Sequence, residues 1–276
     1  MKTSSKLLLS GVLGSALGAY LLSLHGRTGN ETLPKLRGHL YAHRGYYQNP
    51  EIPENSMAAF RRALERGWGV ELDVHLLHDG TLAVFHDSDL LRMTGKEGKI
   101  EDLNFAELNA LRLLGTQEQI PTFNSILALF AGRVPLIIEL KTANGNHREL
   151  AEAVCKRLDR YEGVFCLESF DPWALEDVAK LRPDFCRGQL AENFFRNPFG
   201  LSLSKRFAGT NLSFNFLTRP DFVAYNFRDR KQLSNRLAKH LWGIQNVCWT
   251  IRSPQELEDC RKEDIIPIFE GFDPEL

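Results

Sequence analysis

The sequence predicts an α/β fold in which eight parallel strands close into a barrel. Strand-like and helix-like segments alternate from residue 39 to the C-terminus, as expected for parallel βα units. The chain of 276 residues, 43% hydrophobic and 25% charged, is long enough for one such domain. Several strand-like segments end in ionisable residues, and barrel active sites lie at the carboxyl ends of strands. A doubly wound open sheet is the alternative, but no glycine-rich phosphate loop follows the first strand.

The predicted strands are short apolar or alternating runs bounded by turn residues. Residues 70–76 alternate strongly, and a His-Asp-Gly turn signal at 78–80 predicts that 81–87 returns as an extra hairpin strand. Residues 134–141 form a continuous apolar run, which is typical of a buried parallel strand. The other predicted strands are 39–43, 163–168, 186–190, 221–226, 245–251 and 265–269.

Helices are predicted between the strands from apolar periodicity and end signals. The helix at 53–67 begins with Pro53, ends at Gly67 and carries an apolar stripe that includes Phe60 and Ala63. Residues 191–218 contain no clear element but six phenylalanines, which could form core, a lid or a lipid-contacting surface. The other predicted helices are 104–112, 122–132, 146–160, 172–181, 229–240 and 253–262.

Charge and cysteine content exclude some function classes. The net charge of −1 gives no electrostatic basis for a nucleic-acid partner. The five cysteines are scattered and include no C-x-x-C pair, which argues against both a disulfide framework and a cysteine-based zinc site. We expect them to be buried free thiols.

The N-terminus carries an apolar segment that differs from the rest of the chain. After a short flank at 1–6, residues 7–24 are uncharged and would span about 27 Å as a helix. A transmembrane anchor is the preferred interpretation because apolar residues continue past a small-x-small cleavage candidate at 16–18. A cleaved signal peptide and a core helix are the alternatives. Basic residues on both sides nearly balance, so the side of the membrane stays open, with the extracytoplasmic side slightly favoured.

Residues 25–37 are polar with glycine and proline, and they predict a linker to a domain at 38–276. Within that domain, Glu71 and Asp73 are two residues apart on a predicted strand and share one of its faces, while Glu139 lies near the end of another. Three carboxylates at one barrel mouth would repel each other unless a cation lay between them, and oxygen ligands suit Ca²⁺ or Mg²⁺. Alternatively, Glu71 and Asp73 face solvent while their strand neighbours are buried.

His43 and His86 each end a predicted strand and each precedes an ionisable residue. Two such histidines could act as general base and general acid, although a histidine at a strand end can also be merely hydrogen-bonded. Arg44 and Lys141 are candidates to hold an anionic phosphate, or they are ordinary counter-ions of the carboxylates. His75, His78 and His147 have no supporting context and are assigned no role.

Several short motifs occur in an order that carries more information than any one of them. They are HRG at 43–45, PENS at 53–56, ELDV at 71–74, DG at 79–80, FHD at 85–87, ELK at 139–141, ESF at 168–170 and WTI at 249–251. Together they resemble the glycerophosphodiester phosphodiesterase family over about residues 39–270. The resemblance implies a TIM-type (β/α)8 barrel of the phosphatidylinositol-phospholipase-C-like group.

The resemblance also implies roles for individual residues. Glu71, Asp73 and Glu139 match ligands of one divalent metal ion, and His43 and His86 match the acid–base pair. Arg44 and Lys141 match positions that contact the substrate phosphate, and Glu54 and Asn55 match supporting residues. Trp249 resembles the aromatic residue that flanks the substrate, although a core tryptophan at a strand end is the alternative.

The expected activity is metal-dependent hydrolysis of glycerophosphodiesters to glycerol phosphate and an alcohol. Lysophospholipase-D-type hydrolysis of membrane lysophospholipids is one alternative, and an inactive, membrane-tethered phosphodiester-binding barrel is another. The sequence leaves open the head group, the metal, the order in which the histidines act and the oligomeric state. The chain ends soon after the last strand, so we expect a shortened eighth unit, with the linker or the membrane closing that side of the barrel.

Overall fold

The first strand of the barrel pairs with both the second strand and the last, which closes the sheet. In the computed structural model, which describes residues 14–276, β1 is parallel to β2 and to β9. Eight parallel strands therefore form a closed barrel, as the alternation of elements predicts. The strands are β1 (Tyr41–His43), β2 (Gly69–Leu76), β3 (Leu82–Val84), β4 (Leu136–Leu140), β5 (Phe165–Ser169), β6 (Arg187–Ala191), β7 (Phe222–Asn226), β8 (Gln245–Ile251) and β9 (Ile265–Phe269).

The remaining strand of the described sheet, β3, lies outside the barrel. It pairs antiparallel with β2, with Val74 opposite Val84, so the hairpin predicted from the turn at 78–80 is confirmed. The hairpin matters for the site because residues 85–88, which follow β3, are brought back to the barrel mouth. The Phe85 N–H donates to the carbonyl of Asp73, which fixes that return.

Helices cover the outside of the barrel, and several begin at side-chain caps. Ser56 accepts a hydrogen bond from Ala59 N–H, and Asn104 forms a reciprocal capping box with Glu107. The helices are α1 (14–23), α2 (Leu33–Leu36), α3 (Met57–Glu65), α4 (Leu91–Thr94), α5 (Phe105–Ala110), α6 (Phe123–Phe130), α7 (His147–Leu158), α8 (Pro172–Leu181), α9 (Leu203–Thr210), α10 (Asn215–Thr218), α11 (Leu233–Trp242) and α12 (Pro254–Lys262).

The hydrophobic core has one layer outside the strands and one inside the barrel. Val70, Leu72 and Val74 of β2 pack in the outer layer against the helices. Because side chains alternate along a strand, Glu71 and Asp73 project from the opposite face, toward the barrel interior. The interior cluster includes Tyr41, Ile137, Cys166, Ala224 and Ile268. All five cysteines are buried and free, as expected.

The shortened eighth unit leaves no gap that the linker or the membrane must close. The sheet closes by itself because β9 pairs with both β8 and β1. The tail after β9 then packs beside α3, where Trp68 Nε1 donates to Glu275 at 3.0 Å and Arg66 lies 2.7 Å from Asp273. The short α2 contributes Leu36 to the interior cluster, and Leu36 accepts a hydrogen bond from the Tyr41 hydroxyl.

The predicted anchor at 7–24 lies partly outside the described residues. Within residues 14–276, the structure has no helix with the length and apolar composition needed to cross a membrane. The end of the segment packs on the barrel: Leu24 is fully buried, and Trp242 Nε1 donates to the Leu21 carbonyl at 2.9 Å. In the predicted linker, Arg27 forms an ion pair with Asp221. Residues 20–27 are therefore attached to the domain rather than separate from it.

Candidate active site

Three carboxylates meet at the carboxyl ends of β2 and β4. Oxygen atoms of Glu71, Asp73 and Glu139 lie within 4.8 Å of one another, and all three residues are buried. The strand pairing explains their meeting, because Asp73 stands directly opposite Glu139. The alternative in which Glu71 and Asp73 face solvent is therefore wrong: their strand is internal to the sheet and their side chains face the barrel interior.

Burial and the charged neighbours of these carboxylates shift their pKa values in opposite directions. Burial, and then the charges of Asp73 and Glu139, raise the pKa of Glu71 well above its ordinary value. Burial likewise raises the pKa of Glu139 to about 7. For Asp73, burial is outweighed by Lys141 and other positive neighbours, so its pKa is lowered. Lys141 Nζ lies 3.1 Å from Glu139 and 3.3 Å from Asp73 but cannot neutralise three acids.

A fourth carboxylate extends the acidic cluster. Glu168 on β5 stands opposite Glu139 and is buried, and within residues 14–276 its Oε2 atom has no hydrogen-bond partner. Burial and the charge of Glu139 raise its pKa well above the ordinary value. A buried carboxylate oxygen without a partner, beside three other acids, is the arrangement expected at a site that holds a divalent ion through oxygen ligands. The ESF motif contains Glu168, but its spacing alone gives no reason to choose it as a ligand.

His43 is held by a carboxylate from the far end of the chain. Its Nδ1 atom lies 2.5 Å from Oε2 of Glu270, just after β9, and its Nε2 atom lies 3.8 Å from Glu71. Glu270 also accepts from the Tyr47 hydroxyl at 3.0 Å and pairs with Arg252. Burial, followed by the charge of Arg44, lowers the pKa of His43, and Glu270 opposes only part of that effect.

His86 has its own carboxylate in the next residue. Its Nδ1 atom lies 2.6 Å from Oδ1 of Asp87, and Arg92 holds the other Asp87 oxygen. Desolvation lowers the pKa of His86, with Asp73 and Asp87 opposing the shift. Because a carboxylate can only accept a hydrogen bond, Nδ1 carries the proton in both histidines. In both neutral rings the Nε2 atom is therefore left to exchange a proton.

Arg44, Glu54 and Asn55 form a scaffold beneath the site. Arg44 donates from its backbone N–H to Glu71 at 3.2 Å and from Nη1 to Glu54 at 2.7 Å. Asn55 Nδ2 donates to Asp73 at 2.8 Å. Both Arg44 and Asn55 have positive φ angles, 55° and 53°, and are linked by a backbone hydrogen bond. The loop therefore holds an unfavourable backbone conformation while orienting two of the carboxylates.

His75, to which the sequence assigned no role, lies behind His86. It is buried on β2, its Nδ1 is 2.7 Å from Glu101, and its Nε2 is 3.3 Å from the His86 carbonyl. Glu101 also accepts from the Ser88 hydroxyl at 2.7 Å. This buried cluster fixes the backbone on both sides of Asp87. Spacing in the sequence could not reveal it, because Glu101 belongs to a 3-10 turn far along the chain.

Trp249 lies on β8 and is half-buried. Its Nε1 donates to the Ala224 carbonyl at 3.1 Å, and its ring centroid is 5.7 Å from that of Phe170, edge to face. It packs against the interior cluster, so part of its surface belongs to the core and part faces the barrel mouth. Glu71, Asp73, Glu139 and Trp249 thus lie within strands, whereas Arg44, Glu54, Asn55, His86 and Lys141 lie in the segments that follow strands and His43 ends β1.

Comparison with known proteins identifies relatives for most of the barrel. The model of the glycerophosphoryl diester phosphodiesterase family matches residues 43–270. A glycerophosphodiester phosphodiesterase of Caldanaerobacter subterraneus is 34% identical over 174 residues, which cover 59% of this chain and 70% of that enzyme. The human lysophospholipase D GDPD1 is 31% identical over 170 residues, but the match covers only 53% of this chain and 51% of that protein.

A solved structure shares the fold. A phosphodiesterase of Oleispira antarctica, solved with the product sn-glycerol-3-phosphate, superposes with a TM-score of 0.71 at 23% identity. The superposition covers 87% of this chain and 94% of that one. The TIM-type barrel expected from the sequence is thereby confirmed.

Proposed function

Because the chain belongs to the glycerophosphoryl diester phosphodiesterase family, we propose that it hydrolyses glycerophosphodiesters to glycerol phosphate and an alcohol. The main support is a single arrangement: a buried acidic cluster flanked by two histidines, each held at Nδ1 by a carboxylate. Metal-dependent phosphodiester cleavage requires both parts, since one balances phosphate charge and the other moves protons.

We assign the metal position to Glu71, Asp73 and Glu139, with Glu168 as a further oxygen donor. The donor set is purely carboxylate, which fits Ca²⁺ or Mg²⁺ rather than a softer metal. Such an ion supplies Lewis-acid polarisation of a phosphoryl oxygen and lowers the pKa of a neighbouring hydroxyl. The raised pKa values of Glu71 and Glu139 support this assignment, because burial and the neighbouring carboxylates both disfavour the charged forms and a bound cation would favour them.

Arg44 and Lys141 would contact the phosphate while keeping their acidic neighbours in place. Both already pair with Asp73, Arg44 through Nε at 3.6 Å and Lys141 through Nζ at 3.3 Å. Positive groups held in this way need little reorganisation when negative charge builds on the phosphoryl oxygens. Trp249 would pack against the substrate beside them.

We assign proton transfer to Nε2 of His43 and of His86. One ring removes a proton from the attacking hydroxyl or water, and the other protonates the oxygen of the leaving alcohol. Glu270 and Asp87 hold the rings and stabilise each imidazolium as it forms. The family resemblance implies attack by a substrate glycerol hydroxyl, a cyclic glycerophosphate intermediate and then hydrolysis by water. The arrangement is nearly symmetric and supports either order for the two histidines.

A lysophospholipase D activity is the second candidate. An apolar cavity beside the barrel mouth favours it, together with exposed phenylalanines between residues 195 and 216. The resemblance to human lysophospholipase D GDPD1 adds support over half of each protein. The inactive binding barrel receives less support, because every expected catalytic position is filled by the expected residue type.

Membrane attachment is a separate proposal. The uncharged residues that precede the part packed on the barrel support attachment through the N-terminus, while the nearly balanced flanking charges leave the side of the membrane open. Extraction of the full chain from cell membranes at alkaline pH tests it. We expect the chain to stay with the lipid, and complete release would exclude an anchor.

The decisive experiment is an assay of the full chain with glycerophosphocholine and with a lysophospholipid. It is run with Ca²⁺, with Mg²⁺ and with EDTA, and we expect release of the alcohol only when a divalent ion is present. His43→Ala and His86→Ala should each lower kcat by at least about 100-fold, the scale of a general acid or base. His78→Ala is the matched control, since His78 is exposed and has no role in the site.

The contradicting results are specific to each part of the proposal. If neither substrate releases its alcohol in a metal-dependent reaction, both enzymatic functions are excluded. Near-normal turnover in one histidine variant would remove that residue alone from the mechanism.

A further inference from the structure

A cavity opens beside the barrel mouth, between the ends of β5 and β6 and the helix α9. Its volume is about 400 Å³, within the range of about 300–1,000 Å³ typical of small-molecule sites. Most of its lining is apolar, and the residues used below are Phe170, Gln189, Phe194, Leu201, Lys205 and Ala208. The residues assigned to catalysis do not line it.

The cavity adjoins the active site directly. Thr142, which lines the cavity, is the residue after Lys141, and Phe170 contacts Trp249 with ring centroids 5.7 Å apart. A ligand whose phosphodiester lies at the acidic cluster could therefore extend past Phe170 into the cavity. A small polar glycerophosphodiester would leave this apolar volume unused.

A buried polar residue, Gln189, lies beside the cavity. Gln189 is only 5% exposed, and its Nε2 atom donates to the carbonyls of Ser169 and Leu190 at 3.1 Å. Its Oε1 atom is buried and has no hydrogen-bond partner among the described residues. Because its amide group is closed off from solvent, Gln189 adds no polar contact for a ligand, and the surface that the cavity offers stays largely apolar.

The outer side of α9, and of the loop before it, is apolar and exposed. Leu203 and Phe207 lie one helical turn apart on α9 and are both exposed, and Phe199 precedes them with 70% of its surface accessible. Lys205 and Ala208 of that helix line the cavity. One helix thus separates an apolar cavity from an exposed apolar patch, and such patches mark surfaces that contact lipid or partners.

We propose that this cavity binds the single acyl chain of a lysophospholipid, delivered from a lipid aggregate that contacts the exposed face of α9. The inference rests on the proposed function, because the phosphodiester bond must lie at the acidic cluster. The chain lies along Phe170, Phe194 and Leu201, and Lys205 stands at the cavity wall with its positive charge exposed. Glycerophosphodiesters without an acyl chain use the same catalytic groups but not the cavity.

The test compares two substrates in variants that fill the cavity. Ala208→Phe places a ring in the cavity, and Ala106→Phe on the exposed face of α5 is the matched control. The substrates are monomeric dodecanoyl lysophosphatidylcholine and glycerophosphocholine, each with saturating metal. For Ala208→Phe we expect kcat/KM to fall at least about 10-fold for the lysophospholipid and less than about 2-fold for glycerophosphocholine. The control should change neither value.

A binding measurement accompanies the kinetics. Dodecylphosphocholine carries an alkyl chain and a phosphodiester but no glycerol, so the difference between wild type and variant in calorimetric titrations below its micelle concentration reports the contribution of the cavity. We expect binding to the wild type and to Ala106→Phe but not to Ala208→Phe. Leu201→Trp fills the cavity from the loop before α9. If Ala208→Phe does not fold, Leu201→Trp takes its place in the test, and the same losses of activity and binding are expected for it.

The outcomes separate the two proposals. Equal loss on both substrates in correctly folded variants, or no loss on either, would overturn the acyl-chain site and leave the phosphodiesterase function intact. The same holds if the wild type does not bind dodecylphosphocholine. Failure of the wild type to hydrolyse either substrate would instead exclude the proposed function, and the acyl-chain site with it.

Discussion

The Nδ1 atom of His43 lies 2.5 Å from Oε2 of Glu270; His43 ends the first strand of the barrel, and Glu270 directly follows the last. Because β1 and β9 are neighbours in the closed sheet, the two strand ends meet although 227 positions separate the residues. Burial alone would raise the pKa of Glu270, but His43, Arg252 and Tyr47 outweigh it and lower the pKa to about 2. Glu270 is therefore an anion at neutral pH and holds the His43 ring.

Replacing this anion tests its positioning role. We expect Glu270→Gln to lower kcat by about 10- to 100-fold with little change in KM, by analogy with the loss seen when carboxylates that orient metal-bound histidines are replaced. Glu275→Gln is the control, since Glu275 belongs to the same tail but contacts Arg66 and Trp68 instead. Steady-state kinetics with glycerophosphocholine checks both. Unchanged kcat in Glu270→Gln would mean that His43 needs no orienting carboxylate.

The acidic cluster should destabilise the protein when no metal is bound. We expect Glu71→Gln to raise the free energy of unfolding of the metal-free protein by about 1–2 kcal/mol, because a neutral amide relieves buried repulsion. Glu65→Gln, at an exposed position on α3, should have no effect. Urea unfolding in EDTA measures both values. A metal-free Glu71→Gln that is less stable than the wild type would contradict the repulsion inferred from the raised pKa.

The same variant should lose the response to metal. At a metal concentration about 100 times the dissociation constant, binding adds about 2.7 kcal/mol to the stability of a protein with an intact site. The wild type and Glu65→Gln should show this increase, and Glu71→Gln should show much less. Equal stabilisation of all three proteins would locate the metal elsewhere.

The buried cluster behind His86 predicts a positioning effect for His75. His75→Leu removes its bonds to Glu101 and to the His86 carbonyl, so we expect kcat to fall about 10-fold with KM nearly unchanged. Leaving the Glu101 carboxylate short of a donor should also cost about 1–3 kcal/mol of stability. His78→Leu changes an exposed histidine on the same hairpin and serves as control. A loss of stability with kcat unchanged would limit His75 to a structural role.

Glu54 gives the stability a defined pH dependence. Burial would raise its pKa, but Arg92 and Arg44 outweigh burial and lower the pKa from 4.5 to about 2. A carboxyl whose pKa is lowered on folding stabilises the protein above its unfolded pKa, and this stabilisation is lost as pH falls toward about 2. Glu54→Gln should thus cost about 2 kcal/mol at pH 7 and clearly less at pH 3. Urea unfolding at both pH values checks this, with exposed Glu51→Gln as control. An equal cost at both pH values would contradict the assignment.

The sequence by itself determined the strands, the hairpin and the main site residues. Alternation along β2 placed Glu71 and Asp73 on one face, and the turn at 78–80 predicted the return that carries His86 to the barrel mouth. These features depend on local periodicity and turn chemistry, which can be recognised from consecutive residues. The ordered motifs then supplied the family, and with it the expected roles of His43, Glu139 and Lys141.

Only the tertiary structure decided which distant groups meet. Nothing in the neighbouring residues shows which groups Glu270, Glu168 and Glu101 contact. Barrel closure brings Glu270 to His43, strand pairing brings Glu168 to Glu139, and a 3-10 turn places Glu101 beside His75. The same holds for the acyl-chain cavity, whose walls come from β5, β6 and the region of α9. Contacts of this kind depend on three-dimensional packing of remote segments, and no pattern of neighbouring residues encodes them.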